Sequence, residues 1–239
     1  MKQSILFRLP LALALAAILS TSCKKETTTS NPPPQPHAGD SVVLRARPEG
    51  AMPFDVMLVY CGYVSPDGAD DDRSAPGTSE IMAGYWTING HWYHFRSLYT
   101  FPYISNPSAI KSAYLTLYSD PHPWNGDKVH ANAGNNNAFY IKRVISDWDV
   151  YSPVNEKYPG PYTASVDQVL VPHTSQPYLD VTVDVTQMLQ NMQTVTNSAY
   201  SMGLMVQLAN ENPGMLTSRI FCSAEHPDMS KWPKLVINY

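Results

Sequence analysis

The chain has 239 residues, with 16 Lys and Arg against 20 Asp and Glu for a formal charge of −4. That length suits one domain with a substantial core, and an acidic balance excludes nucleic acid as the natural partner, because that role needs a basic footprint. After the N-terminal apolar run, no stretch reaches the roughly 20 apolar residues a membrane-spanning helix requires.

Met1 to Ser22 has a short basic start (Lys2, Arg8), an apolar run from Leu9 to Leu19, and small residues directly before Cys23, the pattern of a secretory signal. The segment Leu19-Ser20-Thr21-Ser22-Cys23 resembles a bacterial lipobox, which implies that Cys23 is acylated and becomes the first mature residue. The following Lys24-Lys25-Glu26-Thr27-Thr28-Thr29 is similar to the start of lipoproteins from the Bacteroidota. These resemblances imply an outer-membrane lipoprotein, facing either the surface or the periplasm and attached by lipid alone. Several acyl chains on one cysteine hold firmly where a single chain does not. Removing the first 22 residues takes Lys2 and Arg8 away and leaves 217 residues with 14 basic and 20 acidic groups, a formal charge of −6.

Residues 23–40 form a tether. Thr27 to Gly39 is dense in Thr, Ser, Pro and Gln without apolar periodicity, so it buries too little to fold and serves as a stiff, extended linker. The folded domain is expected over 41–239. Strands are expected over Ser41–Arg47 and Phe54–Val64, and then over Ile81–Ile88 and His91–Tyr103, joined by Asn89-Gly90, a strong two-residue hairpin signal. Ser65–Thr78 reads as an exposed loop. Ser112–Tyr118 alternates Ala113, Leu115 and Leu117 with Tyr114, Thr116 and Tyr118, so one face is apolar and needs a second sheet to cover it. Ser119–Asn137 is a polar loop.

Ala138–Trp148 returns as a strand with Phe139, Ile141 and Ile145 facing one way, and Val166–Val171 follows. Tyr178–Val185 alternates Leu179, Val181, Val183 and Val185 with polar residues. Gln187–Gln193 switches to helical spacing, with Thr186 as N-cap. Ser201–Leu208, Thr217–Ser223 and Lys234–Tyr239 bring the count to about ten strands. The fold class is all-β: an antiparallel two-sheet β-sandwich, jelly-roll-like, with one short helix.

Several segments in order resemble one family. They are Pro48-Glu49-Gly50 with Phe54-Asp55, Arg96-Ser97-Leu98 with Phe101, Ile110 with Ser112 to Tyr118, and Tyr140 to Val144 with Trp148. Asp184-Val185-Thr186, Gly203-Leu204, Phe221 to Glu225, and Pro233-Lys234-Leu235 with Tyr239 complete the match. Together they resemble the DNRLRE-type domain, also grouped as carbohydrate-binding module family 96. The chain departs from that family at Ser152 to Glu156, where a tryptophan is usual. The resemblance implies polysaccharide binding, with uronic-acid polymers such as alginate among the ligands and glycan-degrading enzymes as partners. The rival readings are a structural or adhesive surface protein and a cryptic polysaccharide-active enzyme.

Sugar rings stack their C–H faces on exposed aromatic rings, and their hydroxyls need fixed polar groups. Trp124 is the leading candidate, in a loop with His122, Asn125, Asp127, Lys128, His130 and Asn132; the bland alternative is a lid folded over the sandwich end. Trp92 and Tyr93, with Trp86, flank the hairpin as a second platform or as cross-strand packing. Arg96, Lys142 and Arg143 suit uronate carboxylates or structural ion pairs. Asp67, Asp70, Asp71 and Asp72 crowd one loop as a weak calcium candidate without the spacing of a known calcium site. No nucleophile-elbow, zinc-protease or phosphate-loop motif occurs, so neither a cofactor nor catalysis is expected. Cys61 and Cys222 are read as either a disulfide or two packed thiols.

Overall fold

The computed structural model describes residues 41–45, 55–60, 73–75, 78–88, 90–99, 101, 109–145, 163–192 and 203–239. Its strands are β1 (Ser41–Arg45), β2 (Asp55–Tyr60), β3 (Arg73–Ala75), β4 (Glu80–Ile88), β5 (His91–Tyr99), β6 (Ser112–Leu117), β7 (Asn132–Ala133), β8 (Phe139–Val144) and β9 (Thr163–Val171). They continue with β10 (Val181–Asp184), β11 (Leu204–Leu208), β12 (Thr217–Cys222) and β13 (Lys234–Asn238); among the described residues one α-helix, α1 (Thr186–Gln190), follows β10 and a 3-10 turn, Met229–Lys231, precedes β13. The strands form two antiparallel sheets. One has the order β1-β13-β6-β10; the other follows β7-β12-β4-β5-β11-β8-β9, with β2 on β5 and β3 on β2. The domain is an all-β sandwich.

The four-stranded sheet is buried on one face, as alternation in its sequence requires. In β6, Ala113, Leu115 and Leu117 are fully buried while Tyr114 and Thr116 are half-exposed; β13 repeats this with Leu235 and Ile237, and β10 with Val181 and Val183. Thr116 and Thr182 share a 3.1 Å hydroxyl bond on the opposite face. The inward residues meet Ile81, Ala83, Tyr99, Phe139, Ile141, Val206 and Phe221 of the larger sheet to make the main core.

The larger sheet splits beside β5. β2 pairs along residues 94–99, β4 along 91–95 and β11 along 97–99. A strand has two edges, so β4 and β11 must share one. Where they part, the Ser97 hydroxyl takes over: it accepts from Met82 N–H and donates to the Met82 carbonyl, both at 2.9 Å. The split leaves a second, smaller apolar cluster of Met82, Tyr93, Phe95, Ala131 and Ile220 on the outer side. Ala131 belongs to the segment between β6 and β7, so that loop roofs the outer face of β4 and β12.

The hairpin expected at Asn89-Gly90 forms, with Ile88 opposite His91 and Gly90 at φ +82°. Other expectations shift. A bulge between Lys142 and Val144 changes the phase of β8, so Val144 is buried and Ile145 is 45% exposed rather than in line with Phe139. The Tyr178–Val185 strand shortens to β10, because Asp180 turns its carboxylate back to Ser119 N–H. Thr186 is the first helical residue, not the cap: its hydroxyl donates to Asp184 Oδ1 and accepts from Ala113 N–H. β3 and β7 lie in stretches read as loop; two or three residues are too few for periodicity to register.

Candidate functional site

The loop that roofs β4 and β12 is held from below. Ser119 bridges Phe221, with Cys222 N–H on the Tyr118 carbonyl at 2.8 Å and Asp120 N–H on the Ile220 carbonyl at 3.3 Å. His122 N–H donates to Asp120 Oδ1 at 2.8 Å. The carboxylate of Glu80, on β4 and 1% exposed, then accepts Trp124 N–H at 2.8 Å, Asn125 N–H at 2.7 Å and the Asn125 side-chain amide. Burial pushes the Glu80 carboxyl above its ordinary range and Asp120 adds to this, while the three hydrogen bonds pull the other way. Gly126 completes the seat. At φ +67° it occupies the left-handed region, so the backbone favours glycine, and a Cβ there would lie 2.9 Å from Ile220 Cδ1 and push that methyl aside.

This anchoring turns Pro123 inward and leaves the Trp124 ring 76% exposed. Lys128 places its ammonium 5.5 Å from the Trp124 ring centroid from a left-handed backbone at φ +60°. Asp127 stiffens the turn: Oδ1 accepts Val129 N–H at 2.6 Å and His130 N–H, and Oδ2 meets His130 Nδ1 at 2.8 Å. Slight burial raises the Asp127 carboxyl, but those contacts outweigh it and hold the group below its ordinary value. The Tyr178 hydroxyl donates to the Val129 carbonyl, and its ring lies 6.4 Å from that of His130. An apolar ring face with a cation and fixed polar groups beside it can take a sugar by stacking and by pairing with hydroxyls or a carboxylate.

Of the candidate residues, Trp124 and Lys128 come together. His122 is exposed beside them with its backbone pinned. Asn125 points inward and spends its amide on Glu80. Trp92 and Tyr93 cannot share a platform, since adjacent strand residues face opposite ways. Trp92 stacks on Tyr85 at 4.6 Å and 8°, while Tyr93 is buried in the smaller cluster. Arg96 makes a two-point pair with Glu211 at 2.7 and 2.6 Å, whereas Arg143 brings Nε and Nη2 to the single Oδ2 of Asp167 at 2.7 and 2.6 Å. Lys142, its ammonium 5.3 Å from the Tyr140 ring, has its pKa lowered by burial and by Arg96.

Cys222 is a free, buried thiol, which corrects the reading of a disulfide to Cys61. Tyr60, just before Cys61, pairs with His94, whereas Cys222 lies opposite Glu80 at the far end of β4. Burial and the Asp120 carboxylate push the Cys222 thiol up to about 12. Cys23, Cys61, Trp148 and the acidic stretch Asp67, Asp70, Asp71 and Asp72 lie outside the described residues. Sequence reasoning missed Glu80 and Tyr178; a glutamate at the head of an apolar strand was the available signal for the first. No protein-family model matches the chain, and no curated protein matches it as a relative.

Proposed function

We propose that this chain is a non-catalytic cell-envelope lipoprotein, tethered through Cys23 in an outer membrane, whose DNRLRE-like sandwich captures polysaccharide. Uronic-acid polymers are the favoured class, because Lys128 supplies a cation over one face of the Trp124 ring, 5.5 Å from its centroid. The observation that carries the reading is the Trp124 ring, 76% exposed on a loop held by a carboxylate that is 1% exposed. A large aromatic ring left in water by a rigid turn is a pre-ordered surface, and binding to it costs little conformational entropy.

The test is affinity electrophoresis of the mature domain in gels carrying alginate, pectin or a neutral glucan. Retardation by an acidic polymer is expected, and Trp124→Ala weakens it by about 1.5–3 kcal/mol, roughly 10- to 100-fold in Kd, the worth of burying one large apolar side chain. Because that side chain is exposed, the urea midpoint stays within error of wild type. A folded domain that no polymer retards sinks the proposal in favour of a structural or adhesive part. Release of reducing ends from alginate would make the chain an enzyme instead.

A further inference from the structure

We infer that Asp120, Cys222 and His226 form a binding site for a zinc-class divalent metal ion, which clamps the root of the Trp124 loop to the end of β12. One carboxylate oxygen, the thiol sulfur and one ring nitrogen lie within 4.8 Å of one another. The fold brings them there. The Ser119–Phe221 bridge puts Asp120 and Cys222 on the same side of their strands, and the turn after Ser223 returns His226 over them, with His226 N–H on the Ser223 carbonyl at 3.3 Å.

A second observation points to a cation. Asp120 is 3% exposed and Glu80, which feels its charge, is 1% exposed, yet neither carboxylate has an ion pair among the described residues. One oxygen of Asp120 accepts His122 N–H; the other has no hydrogen bond there. Asp180, Asp228 and Lys231 complete the charged surroundings of the thiol, so negative charge prevails. Lys231 is instead 4.0 Å from Asp180, with both groups well exposed. Glu80 is satisfied by the loop's three donors, but the second Asp120 oxygen is not; a buried carboxylate short of partners is costly, and a bound cation offsets that cost.

The donor set selects the metal. Thiolate with imidazole and one carboxylate suits zinc and its borderline neighbours and disfavours magnesium and calcium, which take oxygen ligands alone. Binding exchanges the S–H bond for a metal–sulfur bond and releases one proton to solvent, and thiolate plus carboxylate then balance the double positive charge. Ligation by Nε2 leaves Nδ1 to carry the ring proton, and the Asp228 carbonyl 3.4 Å away accepts it. The Asp228 N–H that points at Nδ1 at 3.1 Å turns to water. Three protein ligands leave a fourth position for a water molecule.

The experiment titrates the chelator-treated, lipid-free mature domain with Co2+, then displaces it with Zn2+. A thiolate-to-cobalt charge-transfer band that saturates at one equivalent is expected, together with a rise in Tm. Cys222→Ser abolishes the band. His226→Ala, at a half-exposed turn where the fold tolerates change, weakens Co2+ binding by more than the roughly 10- to 100-fold typical of losing an outer partner. Cys61→Ser leaves it unchanged. No band, a band that survives Cys222→Ser, a Co2+ affinity that His226→Ala leaves unchanged, or a band lost on Cys61→Ser overturns the inference. The outcome is independent of polysaccharide binding.

Discussion

Phe221→Ala is expected to lower the stability of the domain by about 3–5 kcal/mol, the usual cost of emptying a fully buried aromatic site. Phe221 is 0% exposed, faces the main core, and lies 5.5 Å from the Phe139 ring. Its loss also strips one of two rings from Arg219, whose guanidinium carbon sits 4.9 Å from the Phe139 centroid and 5.8 Å from that of Phe221. Arg219 is itself fully buried, and burial pushes its pKa down to about 10, so it stays charged at neutral pH and depends on those ring faces. Since such domains have only about 5–15 kcal/mol in hand, a large fall in the urea midpoint follows. Equilibrium unfolding read by tryptophan fluorescence checks it; a loss under about 1 kcal/mol would mean that the two sheets do not meet at this ring.

Removing the Glu80 side chain has the next largest effect. Glu80→Ala leaves Trp124 N–H, Asn125 N–H and the Asn125 amide without their acceptor under the loop, at about 1–3 kcal/mol for each donor that water cannot reach. Relief of the buried charge offsets part of this, so a net loss of roughly 2–4 kcal/mol is expected. Polysaccharide retardation falls as in Trp124→Ala, but now with a lowered midpoint, which separates a positioning residue from a contact residue. Hydrogen exchange at 122–126 reads the same release directly; unchanged protection there would show that Glu80 does not anchor the loop.

The same carboxylate sets a pH dependence. Its folded pKa lies above the ordinary 4.5 through burial first, so between 4.5 and that raised value the folded chain binds more protons than the unfolded one. This contribution is fully present below 4.5 and is lost as pH rises through the folded pKa. Wild type minus Glu80→Ala, measured at a series of pH values, is expected to show a stability difference that declines as pH rises through that window. A difference that grows with pH would mean the hydrogen bonds, not burial, dominate Glu80.

Alternation in β6, β10 and β13 was legible because Leu115, Val183 and Leu235 sit in short-range patterns of period two, and a half-buried strand has no other way to satisfy both faces. The Asn89-Gly90 turn was legible for the same local reason. Trp124 stood out by type and by its polar neighbours, but its exposure depended on Glu80, 44 residues earlier in the chain. By itself, then, the sequence determined an all-β body of two layers and a polar loop with one tryptophan in it. Tertiary structure decided the rest: where β5 exchanges β4 for β11, that Asn125 faces inward, that Cys222 lies beside Asp120 and His226 rather than bridging to Cys61. Those outcomes depend on which strands become neighbours, and strand neighbours are chosen by burial across the whole fold, which no local pattern of residues encodes.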